Sequence, residues 1–469
     1  MRNEGYTEFD GVKCIYFIEN KIIRLIPCNK NDLQKLYHHY NDHDFLFGFS
    51  EDIYANCIAY INRVQMHWSF SLDLSWRFLV KIANSNPITE MHITGEAIDK
   101  MFHPASYFYK KHMNGFTNDI DLAYEKETAN NWQIIIEGTK VNIVLQYGGI
   151  LENGIASDMM LHPQLIIKFD PITDISRIYK IYSAIERFLQ IIQFNSSVGR
   201  LNIKLYGDKG DLFNCGLLFD SALIGEKKAD INQLEYVYLE SYIQKLLQFS
   251  ADNIDMSLDF LPDTEFRWLR EEYTPQIITR LFAAFESEYK ANTALYELIK
   301  EDTTKIKNKL LYKIQECYSD CLSSAEKTYL EAVKQQVLSL GSQPGQRRKV
   351  KNVLLAVRDS LKSSLGNLLM RQDMRLDNGY SDKEIKTIAE NIVELRSQAS
   401  HDTTQIKLDE KQTEYIHFLE VLIYVQMLKR AEIDDYGIEL LTGLVFGCNN
   451  SHLFYLEGEK TSFVPTDNI

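Results

Sequence analysis

The sequence predicts an α+β protein in which a β-rich, sandwich-like N-terminal domain is followed by an all-α C-terminal bundle. Three observations carry this. Segments of the first half alternate apolar and polar residues with a period of two and stop at turn formers, as half-buried strands do. After Thr274-Pro275 the apolar period becomes that of a helix and keeps it for most of the remaining chain. The 469 residues are 45% hydrophobic and 25% charged, an ordinary globular composition with length for two or three domains. The expected division is a β-rich domain over 1–262 and a helical domain over 263–469.

In the first half, Val141, Ile143, Leu145 and Tyr147 alternate with Asn142, Val144 and Gln146 before Gly148-Gly149. Leu201, Ile203 and Leu205 alternate with Asn202 and Lys204 before Tyr206-Gly207. Both read as antiparallel strands, and Leu165 to Phe169 reads as another. After a turn at Pro171, Ile175, Ile178, Tyr182, Ile185, Leu189 and Ile192 recur at helical spacing, which predicts one helix packed on the sheet. A second helical pattern runs from Asn232 to Phe249, and Leu261-Pro262-Asp263 reads as a linker.

In the second half, Thr274 is placed to cap a helix with Pro275 at its first position. Its buried stripe is Ile278, Leu281, Phe282, Phe285 and Tyr289. One long helix is expected from about Thr303 to Leu340, ending at a Gly- and Pro-containing break over 341–345. Val350, Val353, Leu354, Val357, Leu361 and Leu365 mark the next helix. Ser381 and Glu384 have the spacing of a capping box and open a helix striped by Ile385, Ile388, Ala389, Ile392 and Ala399. Arg396 falls at the edge of that stripe. Asp409 and Gln412 cap a helix so apolar from Tyr415 to Leu428 that it belongs at the centre of the bundle. From Cys448 on there is no clear period, and no internal repeat occurs.

The formal net charge of −14 argues against a protein that coats nucleic acid. The charge is uneven, however. Residues 301–400 hold 17 basic against 13 acidic residues, the one stretch with a positive excess, and it leads into Arg396. Such an excess suits either a surface for RNA or a plain solvated helix surface. Seven cysteines without regular spacing do not make a disulfide framework. The opening MRNEGYTEFD has no apolar core and no stretch approaches the roughly 18 apolar residues of a membrane span, so a cytoplasmic protein without a membrane partner is expected. Walker A, GxGxxG and HExxH patterns are missing, which disfavours NTPase, dinucleotide-dependent and zincin chemistry.

Arg396-Ser-Gln-Ala-Ser-His401 closes the amphipathic helix with an arginine, four residues and a histidine. Among 17 arginines and 11 histidines this spacing arises by chance roughly 0.4 times, so its weight comes from its place at a helix end, before a polar turn and a very apolar helix. His401 can carry a proton near neutral pH, and Arg396 offers a planar fork of donors to a charged phosphate. The helix is expected to end near Ala399, leaving His401 beyond its C-terminus, where the helix dipole favours imidazolium. The bland alternative is a surface histidine and an arginine that borders the core. Arg347, Arg348 and Lys349 with Lys351 form a basic run at a helix start that either guides RNA phosphates or is simply solvated. His38, His39, Asp42, His43 and Asp44 read better as an exposed polar loop than as a metal site. Cys317, Cys321 and His417 read as core residues.

The motif in this setting resembles the HEPN superfamily, and the whole chain resembles the ApeA-like anti-phage proteins, which join a β-rich N-terminal domain to a C-terminal HEPN domain. The segment from Leu165 to Phe194 is similar to part of that N-terminal domain, and Leu281 to Tyr289 with Glu286 to the first HEPN helix. Ser397 stands where the family usually has Asn, Asp or His after the arginine, and can still hydrogen-bond in support. The resemblance implies a metal-independent endoribonuclease, without cofactor, in which Arg396 and His401 act on RNA. It also implies abortive-infection defence, a phage-derived trigger on the N-terminal domain, RNA substrates with tRNA among them, and a homodimer or higher oligomer that joins two motifs in one cleft. Two other readings stand beside it. One is a catalytically inactive HEPN scaffold for dimerisation or binding with a ligand-sensing β-domain; the other is a carbohydrate- or peptide-binding β-module that the helices oligomerise.

Overall fold

The computed structural model describes residues 4–9, 11–19, 22–39, 45–50, 55–67, 71–82, 87–103, 127–149, 161–196, 198, 201–207, 217–220, 239–262, 273–292, 297–318, 323–339, 345–357, 360–361, 382–401 and 408–446. These residues divide into two compact units. One holds the residues up to Met256 together with Leu261 and Pro262; the other holds Ser257–Phe260 and the residues from Tyr273 on.

The first unit is built on β1 (Glu4–Phe9), β2 (Val12–Glu19), β3 (Ile22–Pro27), β4 (Phe45–Ser50), β5 (Ala55–His67) and β6 (Ser71–Ile82). It continues with β7 (Ile88–Gly95), β8 (Glu127–Ile136), β9 (Thr139–Gly149), β10 (Leu161–Ile172), β11 (Leu201–Gly207) and β12 (Leu217–Asp220). Among the described residues, four α-helices accompany them: α1 (Leu33–His39), α2 (Glu96–Met101), α3 (Ile175–Gln193) and α4 (Glu240–Asp252). The strands make one antiparallel sheet in the order β3-β2-β1-β4-β5-β6-β12-β11-β7-β10-β9-β8, and β3 also pairs with β6.

That extra pairing closes the first six strands on themselves. β6 does two jobs: Leu72 to Ser75 pair with β3 and complete the closure, while Phe78 to Val80 pair with β12 and carry the sheet onward. The register between β5 and β6 slips at Ile61 and again before Arg63, opposite the place where β6 changes partners. Bulges of this kind bend and twist a strand, which the change of direction requires. Cys14, Tyr16, Ile23, Leu25, Ile61, Leu72, Leu74 and Trp76 fill the closed part, with Leu36 of α1 packed among them. The expected sandwich is thus a closed sheet running into an open one. A period of two reports only that one face of a strand is buried, and both arrangements satisfy it.

In the open part, the alternating segments form β9 and β11 as expected, and the apolar stripe of α3 is buried along its length. The edge strand β8 is closed off by α4. Gln133 and Ile135 donate their N–H groups to Gln244 Oε1 at 3.1 Å and Gln248 Oε1 at 3.0 Å, and the two side-chain amides donate back to the carbonyls of the same residues. Glutamines four apart on a helix advance about 6 Å, close to the two-residue step of a strand, so the pair takes the place of a further strand. The expected linker is anchored rather than loose: Leu261 is buried, and Ser196 donates to the Pro262 carbonyl from its N–H at 2.9 Å and its hydroxyl at 3.1 Å.

The second unit consists of α5 (Pro275–Ala291), α6 (Glu297–Glu316), α7 (Ser324–Ser339), α8 (Gln346–Val357), α9 (Asp382–His401), α10 (Glu410–Arg430) and α11 (Asp435–Phe446). Thr274 caps α5, accepting from Ile277 N–H at 3.3 Å with Pro275 in the first turn. Asp409 and Gln412 form a reciprocal capping box on α10. From Tyr415 to Leu428, α10 is buried almost throughout, and α5, α8, α9 and α11 pack around it.

The single helix expected from Thr303 to Leu340 is two helices. Ser323 and Glu326 make a second capping box, with Ser323 N–H donating to Glu326 Oε2 at 2.8 Å and Glu326 N–H donating to Ser323 Oγ at 3.4 Å, so α7 starts afresh after the turn. Lys307 Nζ reaches the Leu338 carbonyl and the Tyr318 hydroxyl donates to Glu331, which fixes α6 and α7 as an antiparallel hairpin. Cys317 sits exposed at the turn, not in the core as the sequence reading had it. Ser381 and Cys321 lie outside the described residues.

Candidate functional site

Arg396 stands on α9 one turn past buried Ile392, where the apolar stripe gives way to a half-exposed face. Its Nη1 donates to Glu286 Oε1 of α5 at 3.0 Å, and its guanidinium carbon lies 5.7 Å from the centre of the Phe282 ring. Phe282 and Glu286 are four apart on α5, hence on one face, so a single turn of helix supplies both a ring for the plane of the guanidinium and an anion for its edge. The other carboxylate oxygen of Glu286 accepts from Lys349 Nζ of α8 at 3.3 Å. Three helices therefore meet at Glu286.

The electrostatics follow from the count of charges. One carboxylate faces two cations, which leaves the trio with one positive charge in excess. Lys349 is 8% exposed whereas Arg396 is 40% exposed, so the cation that reaches solvent is Arg396. The ion pair is partly solvated, and with its cation–π contact it contributes about 1–2 kcal/mol. Its larger effect is directional: the carboxylate of Glu286 fixes how the guanidinium is presented at the half-exposed face of α9.

The helix end differs from expectation. α9 continues through His401, because Ser397, Gln398, Ala399 and Ser400 include no glycine or proline to stop it, and Ala399 is still buried. The last turn is also tied to its neighbour: Gln412 Nε2 of α10 donates to Gln398 Oε1 at 3.2 Å, and one face back, Asn391 Nδ2 donates to the Tyr415 hydroxyl at 2.7 Å. His401 is the final helical residue rather than one beyond the C-terminus. Ser397 is exposed beside Arg396. On an unbroken helix, positions 396 and 401 are about 140° apart.

The basic run opens α8 and separates on folding. Lys349 is turned inward to Glu286, a correction to a wholly solvent-facing reading of the run, and its burial follows from lying beside Val350 and Val353 on the packed side of the helix. Arg347 is exposed and pairs with Glu390 of α9. Arg348 and Lys351 are half-buried.

Next to this trio lies a feature the sequence reading did not single out. Glu288 of α5 is almost fully buried and meets Arg430 of α10 at 3.2 Å, while Asn292 donates to the Gln426 carbonyl at 3.2 Å. Burial pushes the Glu288 carboxyl up to about 7, against the opposing pull of Arg430. The signal available in the sequence was a glutamate one position before Tyr289 in an otherwise apolar stripe.

His417 is half-buried on α10 with its ring edge-on to Tyr273 at 5.7 Å between centroids. Of the histidine-rich segment near position 40, His38 is exposed on α1, and residues 40–44 lie outside the described residues. Among the described residues, no helix is long and apolar enough to cross a membrane. No family model, curated protein or solved structure matches the chain.

Proposed function

We propose that the helical unit is a HEPN-type endoribonuclease and that the chain acts as an ApeA-like anti-phage protein, cutting host or phage RNA to end an infection. The observation that carries the reading is the setting of Arg396. An arginine five residues before a histidine is held by Glu286 over the ring of Phe282, with Lys349 on the same carboxylate, at the end of the helix that bears the motif. A half-exposed guanidinium fixed on one edge suits an anion that gains charge during reaction.

The chemistry is transfer within RNA. The ribose 2′-oxygen forms a bond to its own phosphorus, the bond from phosphorus to the 5′-oxygen breaks, and the proton lost at the 2′-oxygen is matched by one gained at the 5′-oxygen. His401 carries the proton and Arg396 neutralises the charge on the phosphoryl oxygens. Arg347, Arg348 and Lys351 guide the phosphates, and Lys349 acts through Glu286. The β-rich unit senses the phage-derived trigger. In cells the protein works in the cytoplasm.

The unbroken helix between Arg396 and His401 favours a second reading, a catalytically inactive HEPN scaffold with a ligand-sensing β-domain. One experiment separates the two. Purified protein is incubated with total RNA or tRNA in EDTA, beside His401→Ala and Arg396→Ala. Cleavage that leaves 2′,3′-cyclic phosphate ends and is lost in both variants supports the nuclease. Intact RNA with all three proteins, under conditions where the protein protects cells from phage, supports the scaffold.

A further inference from the structure

The hairpin of α6 and α7 carries a surface that the Arg396 cluster does not use. Lys305, Lys309 and Lys313 recur every four residues on α6 and are all exposed, with no hydrogen bond or ion pair among the described residues. Tyr312 lies between them on the helix surface and is 67% exposed. The opposite side of α6 faces α7: Ile314 is buried there, and Lys307, the lysine out of step with the other three, turns back to the Leu338 carbonyl at 2.7 Å. From Lys305 to Glu316, α6 holds four lysines and one acidic residue in a chain whose formal net charge is −14.

The geometry points to a docking face for single-stranded RNA on α6, with Lys305, Lys309 and Lys313 on successive phosphates and Tyr312 stacked on a base. This rests on the ribonuclease reading and names where the strand is held outside the reacting groups. Lysines four apart advance about 6 Å along the axis, comparable with the separation of neighbouring phosphates on one strand. They also drift by about 40° per step, which keeps three of them on one side of the helix. A phenol ring that is two-thirds exposed beside a row of ammonium groups offers a flat apolar surface to any base, and its contribution does not depend on sequence. An acidic protein that binds RNA needs its cations gathered in one place, and the stretch of α6 from Lys305 to Lys313 holds four lysines and no carboxylate, with Glu301 and Asp302 a turn before it and Glu316 a turn after it.

The test uses the full-length protein and a fluorescent, unstructured 2′-O-methyl oligouridine, which binds but has no 2′-hydroxyl to react. Anisotropy is measured over a range of salt for the intact protein, for the triple change Lys305→Ala, Lys309→Ala and Lys313→Ala, for the corresponding triple change to Arg, and for Tyr312→Ala. The alanine triple is expected to weaken binding about ten-fold or more at low salt and to flatten the slope of log affinity against log salt by about 2. The arginine triple keeps both. Tyr312→Ala weakens binding roughly five-fold with the slope unchanged. If the intact protein binds the probe and cleaves ordinary RNA while the alanine triple matches it in affinity and slope, the docking face is wrong and the ribonuclease stands. If the triple changes only the oligomeric state in light scattering, the face serves a second copy and the proposal fails in that way. If the intact protein neither binds nor cleaves RNA, both fall together.

Discussion

Glu286 and Arg396 are 110 residues apart in sequence and 3.0 Å apart in the structure, and the same carboxylate also holds the buried ammonium of Lys349. Removing either member of the first pair has different consequences. Arg396→Ala leaves Glu286 and Lys349 as a balanced pair and costs about 1–2 kcal/mol. Glu286→Ala leaves Lys349 buried without its anion and costs more, about 3 kcal/mol. Urea denaturation of the two variants checks the order. In the ribonuclease reading both lose cleavage, and Glu286→Asp, with a carboxylate drawn back by one methylene, regains part of the stability but less of the activity. Equal stability losses for Glu286→Ala and Arg396→Ala would show that Lys349 does not depend on the carboxylate.

The Gln244 and Gln248 amides cover the edge of β8 in the other unit. The double change to Ala removes the four hydrogen bonds to β8 and a fifth from Gln248 to Asp252, all in a solvent-exposed setting, which lowers stability by about 1–3 kcal/mol. It also uncovers a strand edge able to pair with another chain. The expected outcome is a lower unfolding temperature together with aggregation that grows with protein concentration, followed by static light scattering on heating. A variant that is less stable yet no more prone to aggregate would mean that the glutamines are ordinary helix contacts and not a guard on the edge.

Glu288 gives a dependence on pH with a definite sign. Its carboxyl is raised from 4.5 to about 7 by burial in the folded protein. Between these values the folded state holds a proton that the unfolded state has lost. The stabilising contribution is therefore fully present below about pH 4.5 and is lost as pH rises through about 7, amounting to about 3 kcal/mol at most. Glu288→Gln stays neutral at every pH. The difference in unfolding temperature between the intact protein and this variant should shift against the intact protein from pH 5 to pH 8. A difference that stays flat across that range would place the carboxylate in its charged form, balanced by Arg430 throughout.

What could be read from the sequence was whatever leaves a local period. β9, β11 and α3 each bury one face, and their apolar positions record it; the caps at Thr274 and Asp409 are short patterns with a direct hydrogen-bond meaning. The break between α6 and α7 was missed because the apolar period of the sequence runs on across it, while the Ser323 and Glu326 box that restarts the helix is a four-residue signal inside a long polar stretch. The end of α9 was misplaced for a related reason: Ser, Gln and Ser lower helix propensity without ending a helix. Glu286 entered the sequence reading only through a resemblance, since nothing local tells which helices α5 touches. The closure of β3 on β6 is likewise a contact between distant segments.

The continuous run of α9 through position 401 bears on assembly. In-line transfer from a 2′-oxygen to a 5′-oxygen asks for a base on one side of the phosphorus and an acid on the other. One chain offers one histidine in the motif, at a helical position about 140° from the arginine that Glu286 holds in place. A second copy removes both difficulties, because two α9 ends brought together supply two imidazoles and two guanidiniums to one cleft. The excess positive charge at each Glu286 trio then adds across the interface and favours RNA locally in an acidic protein. The expected result is a homodimer, twice the 54.6 kDa of the chain, in gel filtration with light scattering, and a specific activity that falls on dilution as the dimer separates. A protein that cleaves RNA with unchanged specific activity as a monomer would refute the shared cleft, and would require α9 to unwind between Arg396 and His401 when RNA binds.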